Sequence, residues 1–256
     1  MNYDHVAYSR RVDEILLDAG ATGEQYGEVD GYELMAYRLF KSGPLGKSLP
    51  RVYISTGMHG DEPAGPESLL RLLENGLLNR ELSFYICPML NPTGFQRGTR
   101  ENLVGRDLNR DYYTLRNVEV KEHVKWLEKQ FEIQVPELFV SLHEDWESEG
   151  FYFYEINLID DEVKSLERYQ EIAKKIEAVM PMEPSELIDD HQIRELGWIY
   201  HCAEADMEKK WPEAIFIAKH GCSRSFTFES PSSKNIKHRV TTQVTAVNSL
   251  LDYLFE

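Results

Sequence analysis

Residues 51–62, Arg51-Val52-Tyr53-Ile54-Ser55-Thr56-Gly57-Met58-His59-Gly60-Asp61-Glu62, join a short apolar run to a polar turn. The run from Arg51 to Thr56 reads as a buried strand. The turn places a histidine and a carboxylate three residues apart at the mouth of that strand, where the pair can grip one metal ion. On these residues alone an ordinary reading competes: Asp61 caps a following helix and His59 is a surface side chain. The rest of the chain decides between them.

Outward from this stretch, apolar residues recur at helical spacing five times. Val12, Ile15, Leu16 and Ala19 mark one helix. Leu69, Leu70, Leu72, Leu73 and Leu77 mark another, expected to start near Pro63 and end by Asn79. Val120, Val124, Leu127 and Phe131 form the third stripe, and Val163, Leu166, Tyr169, Ile172, Ala173 and Ile176 the fourth. The last is Val240, Val244, Val247, Leu250, Leu251 and Leu254. Strand-like runs cover residues 32–40, 52–56, 82–87, 138–142, 151–156, 214–218 and 225–228. This alternation predicts an α/β fold, a mainly parallel, twisted, mixed sheet flanked by helices on both faces. A single domain over residues 1–256 is the expectation, since that length suits one large α/β unit.

Composition narrows the function. The chain carries 28 Lys and Arg against 44 Asp and Glu, a net charge of −16, which argues against nucleic acid and anionic membranes as partners. No apolar run reaches the length that spans a bilayer. The three cysteines, Cys87, Cys202 and Cys222, are scattered and form no CxxC pair, so neither a zinc ribbon nor a disulfide framework is supported. Residues 1–11 are polar and charged, without the apolar core of a signal peptide. A reduced, cytoplasmic protein is the expectation.

In parallel sheets, ligands bind outside the carboxyl ends of the strands. His59 and Glu62 follow one strand, Asn91-Pro92-Thr93-Gly94 another and His143 a third, while Glu229 ends the run that begins at Ser225. Two histidines and a glutamate, His59, Glu62 and His143, make the three-donor set of a catalytic zinc site, which leaves a position for water. A separate carboxylate must take the water's proton and return it to the leaving nitrogen, and Glu229 is the candidate. The turn at 94–110 gathers Arg97, Arg100, Arg106 and Arg110 within fourteen residues of an acidic protein. Guanidinium forks bind carboxylates at two points, and one near a metal can stabilise an oxyanion.

Taken in order, HxxE at 59–62, NPxG at 91–94, RxNxxGxDLNR at 100–110, a lone histidine at 143 and SFTFE at 225–229 resemble the zinc carboxypeptidase (M14) family. The resemblance spans about two-thirds of the chain, and the 100–110 segment is its most specific part. It implies one zinc ion on His59, Glu62 and His143, with Glu229 as general base. It also implies that Arg100 polarises the scissile carbonyl, that Asn109 and Arg110 hold the substrate's terminal carboxylate, and that Asp107 orients His59. The interval from Glu62 to His143 is short for digestive-type members. It is closer to compact ones, among them murein-peptide amidases and the succinylglutamate desuccinylase/aspartoacylase branch. The family's mobile tyrosine has Tyr200 as its stand-in, where a core tyrosine is an equal reading.

Other features have plainer explanations. Glu144 borders a ligand histidine and is expected to line a pocket or face solvent. The aromatics at 151–154 alternate on a strand, with core as the default. His123, His191, His201, His220 and His238 lack partners at ligand spacing. The side-chain specificity pocket is expected within 198–218. The expected function is a zinc metallocarboxypeptidase acting on a small peptide with a free carboxylate. An N-acyl amino-acid deacylase is the rival enzyme, and a non-catalytic metal- or peptide-binding protein the rival outside enzymes. Nothing in the sequence fixes an oligomeric state.

Overall fold

Asp4 starts the first helix, α1 (His5–Asp18), by accepting a hydrogen bond from the N–H of Ala7. This computed structural model describes residues 4–256. An antiparallel pair follows, β1 (Thr22–Val29) and β2 (Tyr32–Leu39), and then β3 (Arg51–Thr56), α2 (Ala64–Glu74), β4 (Ser83–Cys87) and α3 (Pro92–Arg97). The middle of the chain forms α4 (Val118–Ile133), β5 (Leu138–Asp145), β6 (Tyr152–Asn157) and α5 (Glu162–Glu177). Two short strands, β7 (Leu187–Ile188) and β8 (His191–Gln192), pair only with each other. The remainder is β9 (Trp198–Tyr200), α6 (Glu213–Lys219), β10 (Arg224–Pro231) and α7 (Ile236–Phe255).

Eight strands form one sheet in the order β1-β2-β4-β3-β5-β10-β6-β9. Four of its seven pairings are parallel, β4/β3, β3/β5, β5/β10 and β6/β9, so the sheet is mixed with a parallel centre. Helices α1, α2, α5 and α7 cover one face, where Val52, Ile54, Val140, Leu142, Phe226 and Phe228 meet helical leucines and valines. Helices α4 and α6 cover the other through Tyr53, Phe139, Val124, Leu127, Phe216 and Ile217. Central strands buried on both faces read as continuous apolar runs, and β3, β4 and β5 do. From β3 the chain steps through α2 to β4 on one side and returns through α4 to β5 on the other. The crevice at the carboxyl ends of β3 and β5 is therefore the place where such a sheet holds ligands.

The structure corrects several expectations. Residues 214–218 are helix α6 and not a strand, because a short apolar run is equally a buried helical turn, and here Pro212 immediately precedes it. Strand β1 escaped notice because it is an exposed edge strand with two glycines and a bulge between Gln25 and Gly27. Helix α2 starts beside Pro63 and ends before Asn79 as expected, but Leu77 falls outside it, in a separate 3-10 turn after Gly76 at φ +84°. His143 and Glu229 lie inside β5 and β10, which run on to Asp145 and Pro231. No helix among the described residues is long and apolar enough to cross a membrane.

Candidate active site

The turn after β3 is held from outside. Gly60 sits so close to the first turn of α3 that an added Cβ would lie 1.9 Å from the Gly94 carbonyl carbon and 2.2 Å from the Phe95 nitrogen. Backbone there meets backbone, which only glycine permits. The following Asp61 is exposed and does not cap α2, whose first residues have no side-chain cap of their own. Instead the Ala64 N–H donates to Glu144 Oε1 at 2.6 Å, and Arg239 from α7 donates to the other oxygen. Glu144 borders the cavity, yet both its oxygens tie β5 to two helices.

His59, Glu62 and His143 are buried and converge. His59 Nδ1 lies 2.6 Å from Glu62 Oε1, and His143 Nδ1 lies 2.9 Å from Glu62 Oε2. The two imidazoles thus address different oxygens of one carboxylate, and one donor atom from each of the three residues falls within 4.8 Å of the others. On its far side His59 Nε2 lies 3.2 Å from Asp107 Oδ1, a carboxylate that can only accept, so the ring sits between two carboxylates. Burial alone would lower the His59 pKa, but the Glu62 carboxylate and the Asp107 hydrogen bond push it up to about 9. The cluster therefore attracts positive charge. One metal cation between two imidazole lone pairs and a carboxylate meets that demand, so the residues fit a metal ion.

Glu229 and His143 are register partners on the parallel strands β10 and β5. Side chains alternate along a strand, so Ser225, Thr227 and Glu229 face the cavity while Phe226 and Phe228 enter the core. Burial, reinforced by the carboxylates of Glu62, Asp145 and Asp189, pushes the Glu229 pKa well above the ordinary value, although His143 pulls it down. A carboxyl so placed suits proton transfer. The Gln243 side chain of α7 fixes the end of β5 by donating to the His143 carbonyl at 2.7 Å.

The arginine-bearing loop is organised by its own polar residues. Asn91 accepts from the Gly94 N–H at 2.9 Å, capping α3, and donates to the Arg100 carbonyl at 3.2 Å. Asn102 accepts from the N–H groups of Val104 and Arg106, and Gly105 closes that turn at φ +71°. Leu108 is buried as an anchor. Asp107 receives the Asn109 N–H as well as His59. Burial would raise its pKa, but the His59 and Arg100 charges hold the carboxyl well below the usual range. Arg100 spans Glu62 Oε1 at 3.2 Å and Asp107 Oδ2 at 3.3 Å. Arg110 is exposed at the cavity and donates to its neighbour's carbonyl, that of Asn109, at 2.9 Å.

One cavity of about 680 Å³ takes in His59, Glu62, Arg100, Asn109, Arg110, His143 and Glu229 together. Two of the 151–154 aromatics expected in the core, and one residue that sequence reasoning did not single out, also line it. Tyr152 and Tyr154 face it while Phe151 and Phe153 fill the core. Glu213 at the start of α6 is buried beneath Tyr53 and Ser55, whose hydroxyls donate to it at 2.7 and 2.8 Å, and its N–H donates to Asn109 Oδ1 at 2.9 Å. Burial pushes the Glu213 pKa up to about 7 against those hydrogen bonds. Reading its segment as a strand hid it. Tyr200 is not brought to the cavity. It shares a face of β9 with Trp198, their ring centroids 6.0 Å apart, and its hydroxyl donates to the Asn157 carbonyl at 3.1 Å.

Comparison with known proteins gives a family and a fold. The profile of the family described as "Succinylglutamate desuccinylase/Aspartoacylase catalytic domain" matches residues 48–199, a span that holds His59, Glu62, the arginine loop and His143 but ends before Glu229. Carboxypeptidase E of Caenorhabditis elegans is 37% identical over 93 residues, covering 27% of this chain and 20% of its own. The chain spans about a fifth of the length of the curated relatives it matches. A candidate metallopeptidase of Shewanella denitrificans OS217 superposes with a TM-score of 0.82 at 21% identity, over 98% of this chain and 90% of that one. A metallo-carboxypeptidase of Pseudomonas aeruginosa, in complex with (2-guanidinoethylmercapto)succinic acid, gives 0.67 at 19% identity, over 98% and 70%.

Proposed function

We propose that this chain, which belongs to the succinylglutamate desuccinylase/aspartoacylase catalytic-domain family and is M14-like in fold, is a zinc metallocarboxypeptidase that hydrolyses an amide bond beside a free carboxylate. His59, Glu62 and His143 would hold one zinc ion, which supplies Lewis acidity towards water and a substrate carbonyl. Glu229 takes the proton of the attacking water and returns it to the leaving nitrogen. Arg100 stabilises the charge that develops on the carbonyl oxygen. Asn109 and Arg110 bind the substrate's free carboxylate, and Asp107 keeps the His59 ring in its ligating tautomer. The succinic-acid ligand of the Pseudomonas protein supports a carboxylate-bearing substrate. We read residues 1–256 as one catalytic unit, and a reducing, cytoplasmic setting suits its three free cysteines.

The observation that carries the proposal is Glu229 beside His143 in a cavity that also holds Arg100, Asn109 and Arg110. A protein that only bound metal or peptide would have no use for that carboxyl. The family profile favours a second reading, an N-acyl amino-acid deacylase, in which the same arginine holds the amino acid while the acyl group departs. Zinc-loaded protein assayed on dipeptides and on N-succinyl and N-acetyl amino acids separates them. Faster turnover of dipeptides is expected; faster turnover of N-acyl amino acids supports the deacylase. Stoichiometric zinc with no hydrolysis of either class overturns both.

A further inference from the structure

A second set of two imidazoles and one carboxylate lies on another wall of the same cavity. His191 comes from the β7–β8 hairpin, His201 follows β9, and Asp206 lies in the loop before α6. His191 Nε2 is 3.5 Å from Asp206 Oδ2, and His201 Nε2 is 3.5 Å from Asp206 Oδ1. Each ring addresses a different oxygen of one carboxylate, and one donor atom from each residue falls within 4.8 Å of the others. The two rings meet edge to face at 4.8 Å between centroids. Tyr154 packs edge-on against both, at 5.7 and 6.2 Å, with its own hydroxyl donating to Asp189 at 2.8 Å. The rings are therefore braced by a neighbour that is itself tied down.

The tautomer points to a ligand. His201 Nδ1 lies 2.5 Å from the Cys202 carbonyl oxygen, which can only accept, so Nδ1 carries the ring proton. In the neutral ring, Nε2 then turns a lone pair towards Asp206, and a cation between the two would be bound by both. A single shared ion satisfies all three groups at once.

We propose that His191, His201 and Asp206 form a second binding site for a first-row divalent cation of the zinc type. Three N/O donors leave one tetrahedral position for a ligand from the cavity. Asp189 and Asp190, on the same wall, add negative potential that draws a cation there, with Lys210 opposing it. The ion would take an anionic oxygen, such as a carboxylate, of a molecule lying in the cavity. The site stands whether or not the reaction proposed above is correct.

The test is equilibrium dialysis of the full, chelator-stripped chain against zinc alone, read by atomic emission. Two ions per chain are expected. Asp206→Ala changes a side chain that is 68% exposed and so leaves the fold in place. That variant and His201→Ala are expected to weaken one binding class by at least roughly 10–100-fold, the loss that removal of a supporting partner alone produces. His59→Ala is expected to weaken the other class and keep this one. A single ion per wild-type chain, with binding unchanged in Asp206→Ala, shows a histidine–aspartate cluster only and overturns the proposal. So do two ions retained at unchanged affinity in both Asp206→Ala and His201→Ala.

Discussion

Glu229 stands directly across from His143, residue for residue, on two parallel strands whose hydrogen-bonded register fixes their separation. The proposed general base is thus positioned by the sheet and not by a mobile loop. Glu229→Gln keeps the shape and removes the proton acceptor. Turnover on the preferred substrate should fall about 10²–10⁴-fold with zinc content unchanged, measured by steady-state kinetics beside metal analysis. Intact turnover would remove Glu229 from the mechanism.

Asp107 meets the candidate metal-binding residues directly at His59 and, by way of Arg100, at Glu62. Asp107→Asn should weaken zinc binding roughly 10–100-fold, read by competition with a chromophoric chelator. The same variant frees Arg100 from one of its two carboxylates, so kcat should fall further than zinc occupancy does.

Arg110 is exposed at the cavity, where its guanidinium donates to the adjacent Asn109 carbonyl and its charge acts on Asp107. A charge-assisted hydrogen bond to a substrate carboxylate contributes about 1.5–3 kcal/mol. Arg110→Gln should therefore raise KM by about 10–100-fold while kcat changes little. An equal loss in kcat at constant KM would mean that the side chain acts on the reacting bond.

Glu213 links stability to pH. Its folded pKa of about 7 lies above the ordinary 4.5, so the folded state favours the protonated acid. The stabilisation is complete below the lower value and is lost as pH rises through the upper one. The loss amounts to as much as about 3 kcal/mol for a fully buried group. Urea unfolding at about pH 5 and about pH 8 should show that loss in the wild type and a flatter profile in Glu213→Gln. Identical profiles would place Glu213 among ordinary ionised carboxylates.

Much of this was legible in the sequence because it is carried by local pattern. The parallel centre of the sheet, the five helical stripes and the polar residues at strand ends are all periodicities or positions, and the structure brings His59, Glu62, Arg100, Asn109, Arg110, His143 and Glu229 to one cavity. What stayed hidden depends on tertiary context. The Glu213 segment is too short to declare its period, β1 is too polar to resemble a strand, and His191 and His201 meet only because β8 and β9 bring them side by side. Tyr200 misled because the alternation of a three-residue strand has no register until its partner is known.

Gly60→Ala should destabilise the protein by about 2–4 kcal/mol, since the new methyl meets backbone on α3 and cannot be accommodated by a rotamer change. Chemical denaturation of the chelator-stripped chain measures this apart from any contribution of bound metal. A loss below about 0.5 kcal/mol, the level of ordinary surface changes, would mean that the contact relaxes freely.

The Gly60–Gly94 contact also bears on how such a protein can change over time. It welds the turn that supplies two candidate metal donors to the segment that leads into the arginine loop, so a substitution that reshapes one drags the other. These parts must be inherited as a block. The cavity wall from 189 to 210, next to the edge strand β9, supplies neither Glu62 nor its imidazoles, so its residues outside the His191, His201 and Asp206 set can vary without that penalty. Divergence towards new substrates should accumulate there.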